Sequence, residues 1–154
     1  MTLSAGLQSQ VVALGVQAES RARRVGRLVL AAGYAAAGAL HLAKPEPFAA
    51  ITPHWVPAPE QVIAATGVAE LLGAVGLLQT RSARWRRYAG WGLALYALCV
   101  WPANFEHMRI DMARPGQGLG LAYHVPRLLA QPLIIWWALW ASGALGQRKA
   151  PAQS

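Results

Sequence analysis

The sequence predicts an all-α fold, a four-helix transmembrane bundle with both termini cytoplasmic, on three observations. The chain of 154 residues is 55% hydrophobic and only 13% charged, and its charges fall in short blocks instead of along amphipathic faces. Four apolar windows, 25–43, 61–78, 88–105 and 126–145, meet or approach the ~20 residues a helix needs to cross hydrocarbon. Between the first two windows stand Pro45, Pro47, Pro53, Pro57 and Pro59, a density that helix interiors do not tolerate.

Residues 1–24 read as a cytoplasmic tail or interfacial helix, because Leu3, Leu7, Val11 and Leu14 recur at helical spacing. They do not read as a secretory signal, since the cluster Arg21, Arg23 and Arg24 follows the mildly apolar stretch instead of preceding it. Residues 25–146 form the membrane domain. Its first span carries Gly33, Ala37 and Gly38 beside Tyr34 and His41, and a short interfacial helix is expected in the first outer loop. The second span places Gly67, Glu70, Gly73 and Ala74 on one face, where small residues let backbones approach. A basic loop with Arg81, Arg84, Arg86 and Arg87 leads to the third span, whose face holds Gly90, Ala94, Ala97, Trp101 and Asn104. The third span is expected to end at Pro102, Ala103 and Asn104, leaving 106–124 as an outer loop, a solvated surface or a partner-docking lid. The fourth span aligns Arg127, Gln131, Ile135, Ala138 and Ser142, and 147–154 is a cytoplasmic tail. Trp55, Trp85, Trp91 and Trp101 fall near helix ends as interfacial anchors, with Trp136, Trp137 and Trp140 deeper.

Ten of the fourteen lysines and arginines flank one side of these spans, while Lys44, Arg109, Arg114 and Arg127 flank the other, which places the termini and central loop in the cytoplasm. The net charge of +8 therefore belongs to membrane flanks, and no basic face for nucleic acid is formed. Cys99 is the single cysteine, which excludes an intrachain disulfide, a CxxC pair and a thiolate metal cage.

By this topology His41, Glu70, Asn104, Arg127 and Gln131 occupy the outer half of the bundle and converge on a ligand pocket. A carboxylate near the bilayer centre costs on the order of 3 kcal/mol, so Glu70 is either a proton-linked or ligand-binding group or a structural partner of His41 or Arg127. His41 is either a hydrogen-bonding or proton-relaying imidazole or a wet interfacial histidine. Asn104 and Gln131 stand beside Pro102 and Pro132, so each serves a ligand or satisfies backbone carbonyls. Arg127 is an interfacial anchor or a clamp. No metal site is assigned, because no two of His41, His54, His107 and His124 lie one helical turn apart.

The stretch GALHLAKPEPFAAITPHWVPAPE, then GVAELLGAVGLL, a basic loop, WPANF and PRLLAQPLIIWWALW resembles the DoxX-like family of small bacterial integral membrane proteins over about residues 28–140. His41, Lys44, Pro45, Glu70, Asn104, Arg127 and Gln131 match its recurrent pattern. The resemblance implies a multi-pass bundle in the bacterial inner membrane. It also implies a role like that of relatives that are subunits of thiosulfate:quinone oxidoreductases or of redox complexes handling radical and thiol stress. The expectation that follows is a redox-associated membrane subunit, at most accessory to a quinone-linked oxidoreductase. A quinone or similar amphipathic molecule would bind in the outer-half pocket, with a redox protein docking on the outer face. A non-enzymatic scaffold or assembly factor and a small exporter or channel-like protein, which would be a homo-oligomer, remain as alternatives.

Overall fold

The structure, a computed structural model, describes residues 19–114 and 118–146, and those residues form helices without any strand. Four long helices, α1 (Arg21–Ala43), α3 (Pro59–Leu78), α4 (Ala83–Met112) and α5 (Leu121–Ser142), are joined in up-down-up-down order. A one-turn helix, α2 (Glu46–Ala49), lies in the first connection, where the sequence leads one to expect a short helix. The expected helix near the N-terminus and the tail 147–154 lie outside the described residues.

Local signals set the helix ends. Ser20 Oγ accepts from the backbone N–H of Arg23, and Ser82 Oγ accepts from that of Trp85, so α1 and α4 each begin on a side-chain cap. Gln79 ties the tight α3–α4 turn by donating to the Ser82 carbonyl and accepting from the Ser82 N–H. Gly143, at φ 81°, closes α5 with the N–H of Ala144 bonded to the Leu139 carbonyl and its own N–H to that of Trp140. That left-handed cap favours glycine.

Antiparallel neighbours are fixed by contacts at both ends. Near one end, which we call the arginine-rich end, Arg27 from α1 reaches the Leu77 carbonyl at 2.5 Å, in the last turn of α3. Arg27 is buried and also grips Glu19 through two bonds of 2.9 Å. A guanidinium there meets both an acid and the negative end of a helix. The pair α1–α3 and the pair α4–α5 make the widest contacts, and α3–α4 and α1–α5 close the ring. Leu30, Ala31, Tyr34, Ala74, Leu77, Leu93, Ala94, Ala138 and Ala141 form a continuous core, which fills the bundle from its middle to the arginine-rich end.

Small residues draw the helices together. A Cβ on Gly38 would lie 2.7 Å from the Gly67 carbonyl oxygen, so α1 and α3 cross at a pair of glycines. A Cβ on Gly90 would lie 2.9 Å from the Ala138 carbonyl oxygen and closer still to the Ser142 side chain. The outward faces are apolar on all four long helices. Leu72, Val75, Leu95, Leu98, Leu129 and Leu133 are each more than half exposed. By length and composition, α1 and α3 are apolar enough to cross a membrane.

Three sequence expectations need correction. Pro102 does not end the third long helix, which continues ten residues to Met112. Beyond Pro102 the helix is held by its packing on α5, where Asp111 meets His124 at 2.9 Å, and the Glu106–Arg109 pair one turn apart, at 2.6 Å, adds a smaller local term. The expected outer loop 106–124 therefore shrinks, because α5 also begins early, at Leu121, and tolerates Pro126 inside it. With α5 ending at Ser142, Trp140 lies in its last turn and not deep in a span. It stands over Arg23, whose guanidinium carbon is 5.6 Å from the ring centre.

Candidate functional site

Beyond the packed core the two helix pairs separate, and a cavity of about 600 Å³ opens between them towards the far end. Its size falls in the range of small-molecule sites. Residues of α1, α3, α4 and α5 line it, and the first connection contributes Phe48, Thr52 and Trp55. His41, Glu70, Asn104, Arg127 and Gln131, the five residues singled out in the sequence, all stand on its wall.

Glu70 is the centre of the polar group. It is 4% exposed, projecting from the middle of α3 beside the Gly38–Gly67 crossing. Tyr96 from α4 donates its hydroxyl to Glu70 Oε1 at 2.8 Å, and His41 Nδ1 from α1 stands 2.8 Å from Oε2. The same Nδ1 lies 3.0 Å from the Ala37 carbonyl, one turn back. The Nδ1 position is shared between the Ala37 carbonyl and Glu70 Oε2, and the imidazole is the one polar neighbour that Oε2 has among the described residues. Phe48 stacks on the His41 ring at a centroid distance of 3.7 Å and fixes its plane. Tyr34 meets Tyr96 edge to face at 6.1 Å. Tyr34 also belongs to the core, so it forms the floor of the cavity.

The other predicted residues divide. Gln131 Nε2 donates to the Ala97 carbonyl at 2.7 Å, so this amide pins α5 to α4. Asn104 is buried on α4 and faces the cavity. Arg127 reaches from α5 to His107 Nδ1 at 2.6 Å and lies 5.9 Å above the Tyr123 ring. Its guanidinium is thus shared between the cavity rim and a second polar cluster at the far end.

That cluster was missed in the sequence. His107 and Asp111 are four residues apart on the extended part of α4, and α5 brings His124 beside them. His124 Nε2 is 2.9 Å from Asp111 Oδ2, the Gly120 N–H donates to the same oxygen at 3.1 Å, and the rings of His107 and His124 are 5.0 Å apart. The His124 contact holds the Asp111 carboxyl below its usual range. Burial, then the Arg127 charge, pushes His107 down. Searching for histidine pairs alone hid the His107–Asp111 spacing, and treating 106–124 as a loop hid the helix that gives the spacing meaning. Tyr96 was also missed. A tyrosine hydroxyl within an apolar span needs a partner, and that was its available signal.

Fold and site together define a helical-bundle protein with a cavity between two helix pairs and an acid–histidine–tyrosine group on its wall. Residues 30–142 match the family described as Domain of unknown function (DUF8561), and the chain belongs to that family. No curated protein and no solved structure matches it.

Proposed function

We propose that the chain is a multi-pass protein of the bacterial inner membrane, with both termini cytoplasmic, that holds a quinone or similar amphipathic molecule in the cavity. It would serve as a redox-associated subunit, as the DoxX-like resemblance implies. A redox partner would dock on the outer face. The apolar outward faces of all four long helices support the membrane reading, because a soluble bundle would expose far less of such surface. The helices have ample reach: at 1.5 Å per residue even the 20-residue α3 spans about 30 Å, the thickness of the hydrocarbon core. The arginines gathered at one end support the orientation.

The observation that carries the ligand reading is a buried carboxyl, Glu70, grouped with His41 and Tyr96 on the wall of a 600 Å³ cavity that is otherwise largely apolar. The hydroxyl of a quinol head group would donate to such a carboxylate, and the apolar wall would accept the tail. Tyr96 and His41 flank the same carboxyl, so a proton gained or lost by the head group would have neighbours to receive it.

Purified protein, extracted in mild detergent, is expected to carry a quinone-like molecule detectable by native mass spectrometry. The double variant Glu70→Gln, His41→Ala should lose most of it and slow quinone reduction in membranes. No co-purifying molecule, together with unchanged quinone reduction in the variant, would reject the proposal. One observation favours a second reading, a non-enzymatic scaffold: the Gln131 amide is committed to the Ala97 carbonyl and holds two helices in register. A stoichiometric protein partner without a small molecule would favour that reading.

A further inference from the structure

We propose that His107, Asp111 and His124 form a binding site for a divalent transition cation of the zinc class at the far end of the bundle. The site is separate from the cavity chemistry of Glu70. Three features carry the inference. The donor set, two imidazoles and one carboxylate, is one that zinc takes with a fourth position left for water. One ligand atom from each residue can be chosen so that all lie within 4.8 Å of one another. Tetrahedral zinc with bonds of about 2.1 Å sets its ligands roughly 3.4 Å apart, so modest side-chain rotations close the site. Two helices also fix the set, with His107 and Asp111 one turn apart on α4 and His124 facing them from α5.

The state of His124 supports these three. It is 1% exposed, and its Nδ1 is buried without a partner, while Nε2 meets Asp111 Oδ2 at 2.9 Å. A cation between Nε2 and the carboxylate takes the place of the bridging proton, and the ring proton moves to Nδ1, which has no bond to lose. Arg127 opposes binding, since its Nη1 is 2.6 Å from His107 Nδ1. It need only fall back towards the Tyr123 face it already overlies. The Asp111 charge partly offsets the cost of bringing a dication near that guanidinium.

The test is zinc titration of the full chain, purified without a histidine tag and stripped with chelator. Wild type is expected to take up one equivalent of Zn²⁺, to unfold at a higher temperature with it, and to give the visible absorption bands of a tetrahedral N/O site with Co²⁺. His107→Ala removes a half-buried ligand outside the core and should keep the helical fold while weakening Zn²⁺ binding by roughly tenfold or more. Asp111→Asn should do the same. Uptake well below one equivalent in wild type, or unchanged affinity in both variants, would overturn the site and leave Asp111 and His124 as a helix-pinning pair.

Discussion

At the arginine-rich end Leu77, Ala138 and Ala141 are wholly buried and Gly90 lets Ser142 sit against the α4 backbone, whereas towards the far end the same four helices stand around a cavity of about 600 Å³. The difference lies in what projects inwards. Leucines with alanines and glycines interlock in the first region and leave little room. In the second, Tyr96, His41, Glu70 and Phe48 meet through polar and ring contacts along one wall of the cavity. Stability is therefore concentrated in one half of the bundle and binding capacity in the other, as expected if close packing and an internal site compete for one interior.

The largest expected break in this contrast comes from truncating the packed half. Leu77→Ala should cost about 2–5 kcal/mol, while Val62→Ala, on the cavity wall and partly exposed, should cost under about 1 kcal/mol. Thermal unfolding in detergent, followed by tryptophan fluorescence, measures both; equal losses would mean that the two halves are packed alike. Two glycines sharpen the comparison by sign. Gly90→Ala should destabilise by about 1–3 kcal/mol, because its Cβ meets the Ser142 side chain and the Ala138 carbonyl. Gly33→Ala, on the cavity wall with nothing within 4 Å of its Cβ, should stabilise α1 by up to about 0.5–1 kcal/mol. The same melting experiment checks the pair, and a loss at Gly33 would mean that the cavity is narrower than described.

The smallest effect is a dependence on pH at the arginine-rich end. The Arg27 guanidinium holds the Glu19 carboxyl below its usual value near 4.5. A carboxyl whose folded value is depressed contributes stability that is present above that usual value and is lost as pH falls through the lowered folded one. Glu19 is part-exposed, so the contribution should stay below about 1 kcal/mol. Melting curves of wild type and Glu19→Gln should differ at pH 7 and converge at the acid end; parallel curves throughout would show that the pair carries no linkage.

Much of the fold was legible because its signals are local. Proline density placed the first connection, the Gly38 and Gly67 faces anticipated a helix crossing, and the arginine blocks marked one end of the bundle. Polar residues within apolar windows pointed to five positions that do share one cavity, since a polar group surrounded by apolar neighbours has few places to go. The extent of α4 past Pro102 was not legible, because a single proline costs one hydrogen bond and the contacts that outweigh it come from another helix. His107, Asp111 and His124 followed from that miss.

By itself, then, the sequence determined that the chain forms long apolar helices, where the first two connections fall and which side chains are too polar for their apolar surroundings, because these depend on neighbours along the chain. Only the tertiary structure decided which half packs solid, that Tyr96 completes the Glu70 group, that Gln131 is spent on the Ala97 carbonyl, and that α5 brings His124 to Asp111. Each of these rests on the offset and separation of two helices, set by side chains distant in sequence meeting within a few ångströms, and no periodicity within one segment encodes that.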